Sequence, residues 1–356
     1  ITNIPGRNLI MNGNHIVSQR GSTFAGHSSG DKWCSDRWNF YLASAGTFNY
    51  YTRLTNAGDK PADQGFQYAI KADCDTASSS LAAGAAHILI TKWEGQDLQQ
   101  IKKGTSNAEK LTLSFWVKSS KTGTHIAELI DEDNTRKCSQ AYTISSAGAW
   151  EKKVITFPAD TTGAFDNDNN KSMSLFFWLA AGSNYTSGSL NTTWSATADA
   201  NRAVGQVNLS DTTNDYLYTT GCQLEIGDTA TDFEHISYGD ELARCQRYYY
   251  RIDAATNDYF GIGNIDGSNT GQILVTFPIE MRVKPSSLDT TGTASHYILR
   301  TTSNQTCTSV PTLSGHQTTK NAMLYFTKTS HGFTSGHGAF GRSNDNSSFL
   351  GFSAEL

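Results

Sequence analysis

The segment Gly221–Ile252, GCQLEIGDTATDFEHISYGDELARCQRYYYRI, contains the change of pattern that decides the fold. Its first residues continue a strand that side-chain alternation predicts over Leu217–Ile226, with Tyr218 and Leu224 on the same face. A capping-box pattern at Ser237–Asp240 then predicts the start of a helix. After this helix the composition is again typical of strands. The segment therefore predicts a first domain that ends, a short connecting helix and a second domain that begins.

The connecting helix is predicted over residues 237–250. Three of its side chains recur at helical spacing, which predicts that one face packs between the two domains. These side chains are Leu242, Cys245 and Tyr249. The predicted domains are residues 1–236 and residues 251–356. A chain of 356 residues is long enough for two domains of this kind.

The composition is typical of short strands joined by many turns. Charged residues make up only 17% of the chain, whereas Gly, Ser, Thr and Asn are abundant and prolines are few. Aromatic residues, at 11%, supply the large side chains that fill thin β cores. We therefore predict an all-β chain with two β-sandwich domains joined by a short α-helix. The six cysteines are scattered without metal-binding spacing, and we predict that they are free thiols.

The charge and hydropathy patterns exclude two classes of partner. The formal net charge is −5 and no long basic run occurs, so we predict no nucleic-acid partner. No apolar run approaches the length of a membrane span, and no segment has the pattern of a signal peptide. We therefore predict no membrane insertion.

Two tryptophans lie on the polar side of predicted strands. Trp116 belongs to the strand Leu111–Ser119 and Trp178 to the strand Met173–Ala181, each opposite in parity to the apolar face. If both point to one outer face of a sandwich, they form an aromatic floor for a sugar ring, and they are our candidate glycan-binding residues. The alternative is that a loop, the helix or another subunit covers them. Residues 182–216 are predicted to form a long structured loop.

Several segments of the chain resemble one group of phage proteins. They are Asn8–Gly13, Gln19–Gly21, Asp36–Trp38, Leu113–Ser119, Trp150–Phe157, Gly163–Asn169, Asn201–Gly205, Gln223–Glu234 and, as the most distinctive, Cys245–Tyr250. The group consists of virion fibre proteins of tailed phages, notably phages of marine and cyanobacterial hosts. The resemblance covers residues 8–252, and beyond them only the general plan of a small β domain carries over.

The resemblance implies a structural role and a fold for the first domain. Proteins of this group are virion components, usually tail fibres, and their first domain resembles the jelly-roll carbohydrate-binding modules attached to many glycosidases. It implies a homotrimer that is assembled in the host bacterial cytoplasm, resides in the virion with other virion proteins, and contacts a host-surface glycan. We therefore predict a tail fibre that is not an enzyme. Two alternatives stay open: a capsid-attached fibre or decoration protein without a receptor role, and a tailspike that depolymerises glycans.

Carboxylates on predicted turns are the remaining candidates. Asp166 and Asp168 are our candidate ligands for a structural Ca²⁺ ion, which the carbohydrate-binding modules named above often hold. The sequence there lacks the Gly and the distal Glu of an EF-hand loop, and side-chain bonds to nearby backbone explain such turns equally well. Asp131 and Asp133 lie on another turn, and a depolymerase would need such a pair facing one groove. Apart from calcium we predict no cofactor, and we predict no catalytic residue.

Overall fold

The computed structural model describes residues 6–56, 58–196 and 198–356. Strands contain 43% of the residues and helices 8%, and the sheets are antiparallel. The prediction of an all-β chain with β-sandwich domains is therefore confirmed. Contacts divide the chain into two compact units, Ile1–Glu241 with Leu356, and Leu242–Glu355.

The described part of the first unit contains thirteen strands, numbered here in chain order. They are β1 (Thr23–His27), β2 (Gly30–Trp33), β3 (Asn39–Ala43), β4 (Thr47–Leu54), β5 (Tyr68–Thr76), β6 (Ala86–Glu94), β7 (Leu111–Ser119), β8 (Gly123–Asp131), β9 (Arg136–Ile144), β10 (Glu151–Phe157), β11 (Lys171–Ala181), β12 (Ser195–Ala196) and β13 (Tyr216–Ile226). The helical turns are α1 (Lys60–Asp63), α2 (Ser183–Thr186) and the 3₁₀ turns Gly95–Asp97, Gln99–Ile101 and Asp199–Asn201. The strands form a six-stranded sheet, β1-β4-β5-β13-β7-β10, and a seven-stranded sheet, β12-β9-β8-β11-β6-β3-β2.

The two sheets of the first unit pack face to face because alternate side chains of their strands are apolar. Phe115 of β7 and Phe177 of β11 are buried in one core to which both sheets contribute. Residues of the opposite parity point to the outer faces. Trp116 therefore lies on the outer face of the six-stranded sheet, and Trp178 lies on that of the seven-stranded sheet. The hypothesis that the two tryptophans share one face is wrong.

A β-bulge at Gly221 changes the parity of side chains within β13. The register between β13 and β7 shifts at this point. Gly221 has a φ of 61°, and a Cβ atom there would lie 2.7 Å from Cζ of Phe66, so only glycine fits. The bulge leaves Tyr218 on the outer face, whereas Leu224 lies in the core. The prediction that these two residues share a face is wrong, because alternation cannot reveal an inserted residue.

The described part of the second unit contains ten strands. They are β14 (Tyr249–Ala254), β15 (Tyr259–Asp266), β16 (Thr270–Thr276), β17 (Ser287–Thr290), β18 (Tyr297–Arg300), β19 (Asn304–Thr306), β20 (Thr312–Leu313), β21 (Asn321–Thr327), β22 (Gly338–Ser343) and β23 (Ser348–Ser353). A 3₁₀ turn, Ala294–His296, precedes β18. The strands form a three-stranded sheet, β14-β23-β17, and a seven-stranded sheet, β19-β18-β22-β15-β16-β21-β20, around a separate apolar core.

The outer face of the larger sheet in the second unit exposes three apolar side chains in one line. Ile262 is directly opposite Phe340 on one side and Leu274 on the other. Their exposed fractions are 64% for Ile262, 40% for Phe340 and 39% for Leu274. We call these three residues the apolar row.

The connecting helix α3 begins at Tyr238 and ends at Gln246. The Asp240 N–H donates a hydrogen bond to Ser237 Oγ at 3.2 Å, as the capping-box pattern predicts. No helix in the described part of the chain is long and apolar enough to cross a membrane.

The structure separates the three residues that were predicted to share a helix face. Leu242 and Cys245 belong to α3, where Leu242 is half-buried and Cys245 is buried. Tyr249 is not helical: it begins β14, and its hydroxyl donates to Asp289 at 3.1 Å. The helical assignment of Tyr249 is wrong, because a run of tyrosines favours the pleated surface of a strand. Packing of these residues between domains stays a prediction.

Candidate functional site

Five side chains alternate between aromatic and lysine across the outer face of the six-stranded sheet. From β4 to the start of β10 they are Tyr51, Lys71, Tyr218, Lys118 and Trp150. The first four are directly opposite their neighbours in the registers of β4, β5, β13 and β7. Trp150 completes the line, because Lys118 Nζ lies 5.6 Å from its ring centroid. We call these five residues the aromatic–lysine row.

Each lysine in the row lies over aromatic rings on both sides. Lys71 Nζ is 5.7 Å from the ring centroid of Tyr51 and 5.4 Å from that of Tyr218. Lys118 Nζ is 5.3 Å from the centroid of Tyr218. Such cation–π contacts contribute about 0.5–1 kcal/mol each at exposed sites. They keep the ammonium groups beside the rings, so the row combines the half-buried rings of Tyr51 and Tyr218 with hydrogen-bond donors, whereas Trp150 is buried.

Trp116 lies beside the aromatic–lysine row and faces a small pocket. It precedes Lys118 by two residues in β7, so both side chains point to the outer face. The pocket has a volume of about 150 Å³. It is lined by Gln64, Phe66, Ser114, Trp116, Lys152, Gly221, Asp232, Phe233 and His235. The bulge at Gly221 thus shapes this pocket, and the predicted site residue Trp116 is half-buried at its edge.

Trp178, the other predicted glycan-binding residue, is fully buried. Its exposed fraction is 0%, and its Nε1 donates to the Glu128 carboxylate at 3.1 Å. The loop after β11 covers it: Tyr185 lies with its ring centroid 5.2 Å from that of Trp178, and Ala203 belongs to the same buried cluster. The predicted alternative of a covering loop is therefore correct for Trp178. This tryptophan cannot stack on a sugar.

A groove of about 270 Å³ remains on the outer face above Trp178. Tyr41, 37% exposed, lies at its edge. Arg202 enters the groove, where its Nε is 2.9 Å from Glu128 and its Cζ is 5.1 Å from the Trp178 ring centroid. Burial alone would lower the pKa of Arg202, but the Glu128 carboxylate outweighs burial and raises it. The Arg202 cation is thus held by a buried ion pair.

The carboxylates singled out in the sequence do not face a common groove. Asp131 is fully buried, and Lys103 Nζ lies 2.5 Å from its carboxylate and 3.0 Å from that of Asp160. Burial alone would raise the pKa of Asp160, but hydrogen bonds from Arg136 and Lys103 outweigh it and lower the pKa. Asp133 instead accepts a hydrogen bond from the backbone of a neighbouring turn. Asp131 and Asp133 therefore do not form a catalytic pair.

The candidate calcium ligands occupy a hydrogen-bonded turn. The Asp168 carboxylate accepts the Asn170 N–H at 2.9 Å and the Asn170 side-chain amide at 2.5 Å, and the Asp166 carbonyl oxygen accepts from Gln99 at 3.2 Å. Calcium takes about six to eight oxygen ligands. In the described residues no group of three or more His, Cys, Asp or Glu side chains is arranged to hold a metal. The oxygen ligands that Asp166 and Asp168 offer do not match the coordination that calcium takes. A calcium site at this turn stays a prediction.

No pattern in the sequence alone predicts the aromatic–lysine row. Lys118 shares the parity of Trp116 within β7, which is the signal that could have drawn attention to it. Alternation places Tyr218 on the same face as Leu224, and the bulge separates the two residues. No sequence pattern shows that Tyr51 and Lys71 lie opposite it, since register depends on the assembled sheet.

No protein-family model matches the chain, and no curated protein matches it. One similar solved structure is the enzymatically active domain of tailspike protein 4 of bacteriophage CBA120, with 11% identity, a TM-score of 0.33, and coverage of 62% of this chain and 21% of that chain. Another is the family 11 carbohydrate-binding module of Clostridium thermocellum in complex with a mixed-linked tetrasaccharide. It has 12% identity, a TM-score of 0.28, and coverage of 59% of this chain and 100% of that chain. These weak similarities concern the β fold alone.

Proposed function

We propose that this chain is a virion fibre protein of a tailed phage and that its first unit binds glycans of the host surface. The observation that carries the binding proposal is the aromatic–lysine row, with Trp116 and its pocket beside it. The resemblance of segments such as Cys245–Tyr250 to phage fibre proteins supports the assignment to a virion.

The aromatic–lysine row offers both kinds of surface that a sugar chain needs. The rings of Tyr51, Tyr218 and the adjacent Trp116 are half-buried, so part of each ring is open to contact a sugar. The ammonium groups of Lys71 and Lys118 donate hydrogen bonds to hydroxyl oxygens. The distance from β4 to β7 is three strand spacings, about 14 Å. A surface of this length suits several linked sugars.

Binding without cleavage is the chemistry that this face supports. Glycosidases generally use two carboxyl groups that flank the scissile bond. Of the acids on this face, Asp73 is bound to Lys71 Nζ at 2.9 Å and Asp75 accepts hydrogen bonds from the side chains of Thr47 and Asn49. Among the described residues, the pocket is lined by a single carboxylate, that of Asp232. Asp131 is buried against Lys103. We therefore propose a binding fibre rather than a depolymerising tailspike.

The apolar row of the second unit supports self-association, and we propose a homotrimer that assembles in the host cytoplasm with other virion proteins. Contiguous exposed apolar side chains such as Ile262, Leu274 and Phe340 commonly mark protein–protein surfaces. A second copy of the chain is the proposed occupant, because oligomers of identical chains repeat one surface around a closed symmetry axis. Light scattering should give a mass three times the 38.7 kDa of one chain. A monomer at micromolar concentration would contradict this part of the proposal.

The binding proposal is tested with polysaccharide purified from the host surface. We expect Tyr218→Ala to weaken binding about tenfold, which corresponds to about 1.4 kcal/mol. The matched control is Tyr41→Ala, which removes an exposed tyrosine from the groove of the other sheet. Affinity electrophoresis of the two variants decides the matter. If Tyr41→Ala weakens binding and Tyr218→Ala does not, the polysaccharide binds in the groove of the seven-stranded sheet and not on the aromatic–lysine row.

The position in the virion is tested separately. Antibodies against the chain, visualised on intact virions by electron microscopy, should label the tail. Labelling of the capsid would favour the capsid-attached alternative. Shortening of the polysaccharide by purified protein would contradict binding without cleavage.

A further inference from the structure

Four cationic side chains lie on the outer face that carries the aromatic–lysine row. They are Arg53, Lys71, Lys118 and Lys152. Arg53 follows Tyr51 by two residues in β4, and its Cζ is 4.2 Å from the Tyr51 ring centroid. Lys152 is directly opposite Trp116 in the pairing of β10 with β7 and lines the pocket. Cations therefore border both the row and the pocket.

Three of these cations have no acidic partner among the residues that the structure describes. Lys71 is paired with Asp73 at 2.9 Å. For Arg53, Lys118 and Lys152, no carboxylate oxygen of the described residues lies within 4.0 Å of the side-chain nitrogens. Asp73, Asp75 and Glu225 lie on the same face and Asp232 lines the pocket, so the excess of positive charge is confined to Arg53, Lys118 and Lys152 beside the rings. Such a local excess of charge attracts ligands of the opposite sign.

We propose that the glycan bound by this face is acidic, a polysaccharide with carboxylate groups along its backbone. This inference rests on the proposed glycan-binding function. A neutral sugar that covered the rings would remove water from the ammonium groups beside them without supplying a counter-charge, which is unfavourable. A carboxylate supplies the counter-charge and accepts the hydrogen bonds.

The spacing of the lysines around Tyr218 fits a charged sugar that contacts the exposed part of that ring. Lys71 Nζ and Lys118 Nζ are 5.4 and 5.3 Å from the Tyr218 ring centroid, on either side of it. Their strands, β5 and β7, are two spacings apart, about 9.5 Å. A carboxylate on that sugar can thus reach either ammonium group. The next sugars along the chain lie over Tyr51 or towards Trp116, where Arg53 and Lys152 take the same role.

The test compares polygalacturonate with the same polymer after chemical reduction of its carboxyl groups, using the full chain and isothermal calorimetry. We expect polygalacturonate to bind at least about tenfold more tightly, with most of the difference lost in high salt because exposed charges are screened. Lys118→Gln should weaken binding of polygalacturonate about two- to fivefold, and Lys118→Arg should retain it. The control is Lys320→Gln, an exposed lysine of the second unit, which should have no effect.

The outcomes separate this inference from the function on which it rests. Equal binding of both polymers, or binding of the host polysaccharide without binding of polygalacturonate, overturns the acidic ligand and leaves glycan binding intact. Absence of binding to both polymers and to the host polysaccharide overturns both proposals. Tighter binding of a single-stranded oligonucleotide than of polygalacturonate also overturns the inference, because stacking rings and cations then serve a nucleic acid.

Discussion

The outer face of the six-stranded sheet in the first unit and that of the larger sheet in the second unit have the same architecture but different side chains. The first carries rings interleaved with cations, as in Tyr218 between Lys71 and Lys118. The second exposes the apolar row around Ile262, with the cation Arg300 and the ring of Tyr259 only at its Phe340 end. An antiparallel sheet needs only one face for its core, so the other face is available for function. Rings with charged donors suit a polar ligand, whereas bare apolar side chains suit burial against protein.

The two units also differ in their buried titratable groups. His15, His87 and His125 of the first unit are buried. The histidines of the second unit are half-buried or exposed: His296, His316, His331 and His337. The stability of the two units should therefore depend differently on pH.

Acidification should have the largest effect, and it should fall on the first unit. Burial lowers the pKa of His15 to about 3 and that of His125 to about 4, and it also lowers that of His87. Because these folded pKa values lie below the unfolded value near 6.5, the stabilisation is complete above pH 6.5 and decreases as pH falls towards 4. At pH 5 the loss is roughly 2 kcal/mol for each of His15 and His125.

Tryptophan fluorescence measures this effect selectively, because all seven tryptophans lie between residues 33 and 194. The urea midpoint from fluorescence should decrease between pH 7 and pH 5. Circular dichroism also reports unfolding of the second unit. It should therefore show a transition whose urea midpoint changes less between pH 7 and pH 5. Equal shifts of both transitions would contradict the assignment of acid sensitivity to the buried histidines.

Gly221→Ala should destabilise the first unit by about 3 kcal/mol, because it combines a strained φ with overlap against the Phe66 ring. Gly267→Ala in the second unit is the matched control. Gly267 has a φ of 78°, but nothing lies within 4 Å of an added Cβ, so the expected loss is only about 1 kcal/mol. Thermal unfolding of the two variants compares them. If the two variants lose similar amounts of stability, overlap with the Phe66 ring is not what requires a glycine at position 221.

Ile262→Lys should dissociate the oligomer and leave glycan binding of each chain unchanged. Loss of an apolar contact of this size costs about 2 kcal/mol per subunit interface. Val154→Lys, which also places a lysine at an exposed apolar position but in the first unit, is the control and should leave the mass unchanged. Sedimentation of both variants measures the effect. An intact trimer for Ile262→Lys would show that the apolar row is not the interface between subunits.

Trp116→Ala should have the smallest effect, about 1 kcal/mol in glycan affinity, with the oligomeric state unchanged. Phe176→Ala in the groove of the other sheet is the control and should retain the affinity. If Trp116→Ala instead impairs assembly and leaves glycan affinity unaltered, Trp116 is an interface residue. Calorimetry and light scattering on the same samples distinguish these results.

Local patterns in the sequence were sufficient for the fold class and for the face of most strand residues. The alternation in β7 correctly separated Phe115 from Trp116, and Ser237 caps the connecting helix as predicted. The candidate site required information that is not local. The bulge at Gly221 depends on space next to Phe66, and the cover over Trp178 depends on how a later loop folds back. Cross-strand neighbours are fixed only when the sheet assembles.

The most direct test of the account is hydroxyl-radical footprinting with and without host polysaccharide, because aromatic side chains report oxidation well. We expect protection of Tyr51, Tyr218 and Trp116, with no change at Phe340 in the apolar row. Protection confined to Tyr41 or to the second unit, with the aromatic–lysine row still oxidised at the unbound rate, would contradict it.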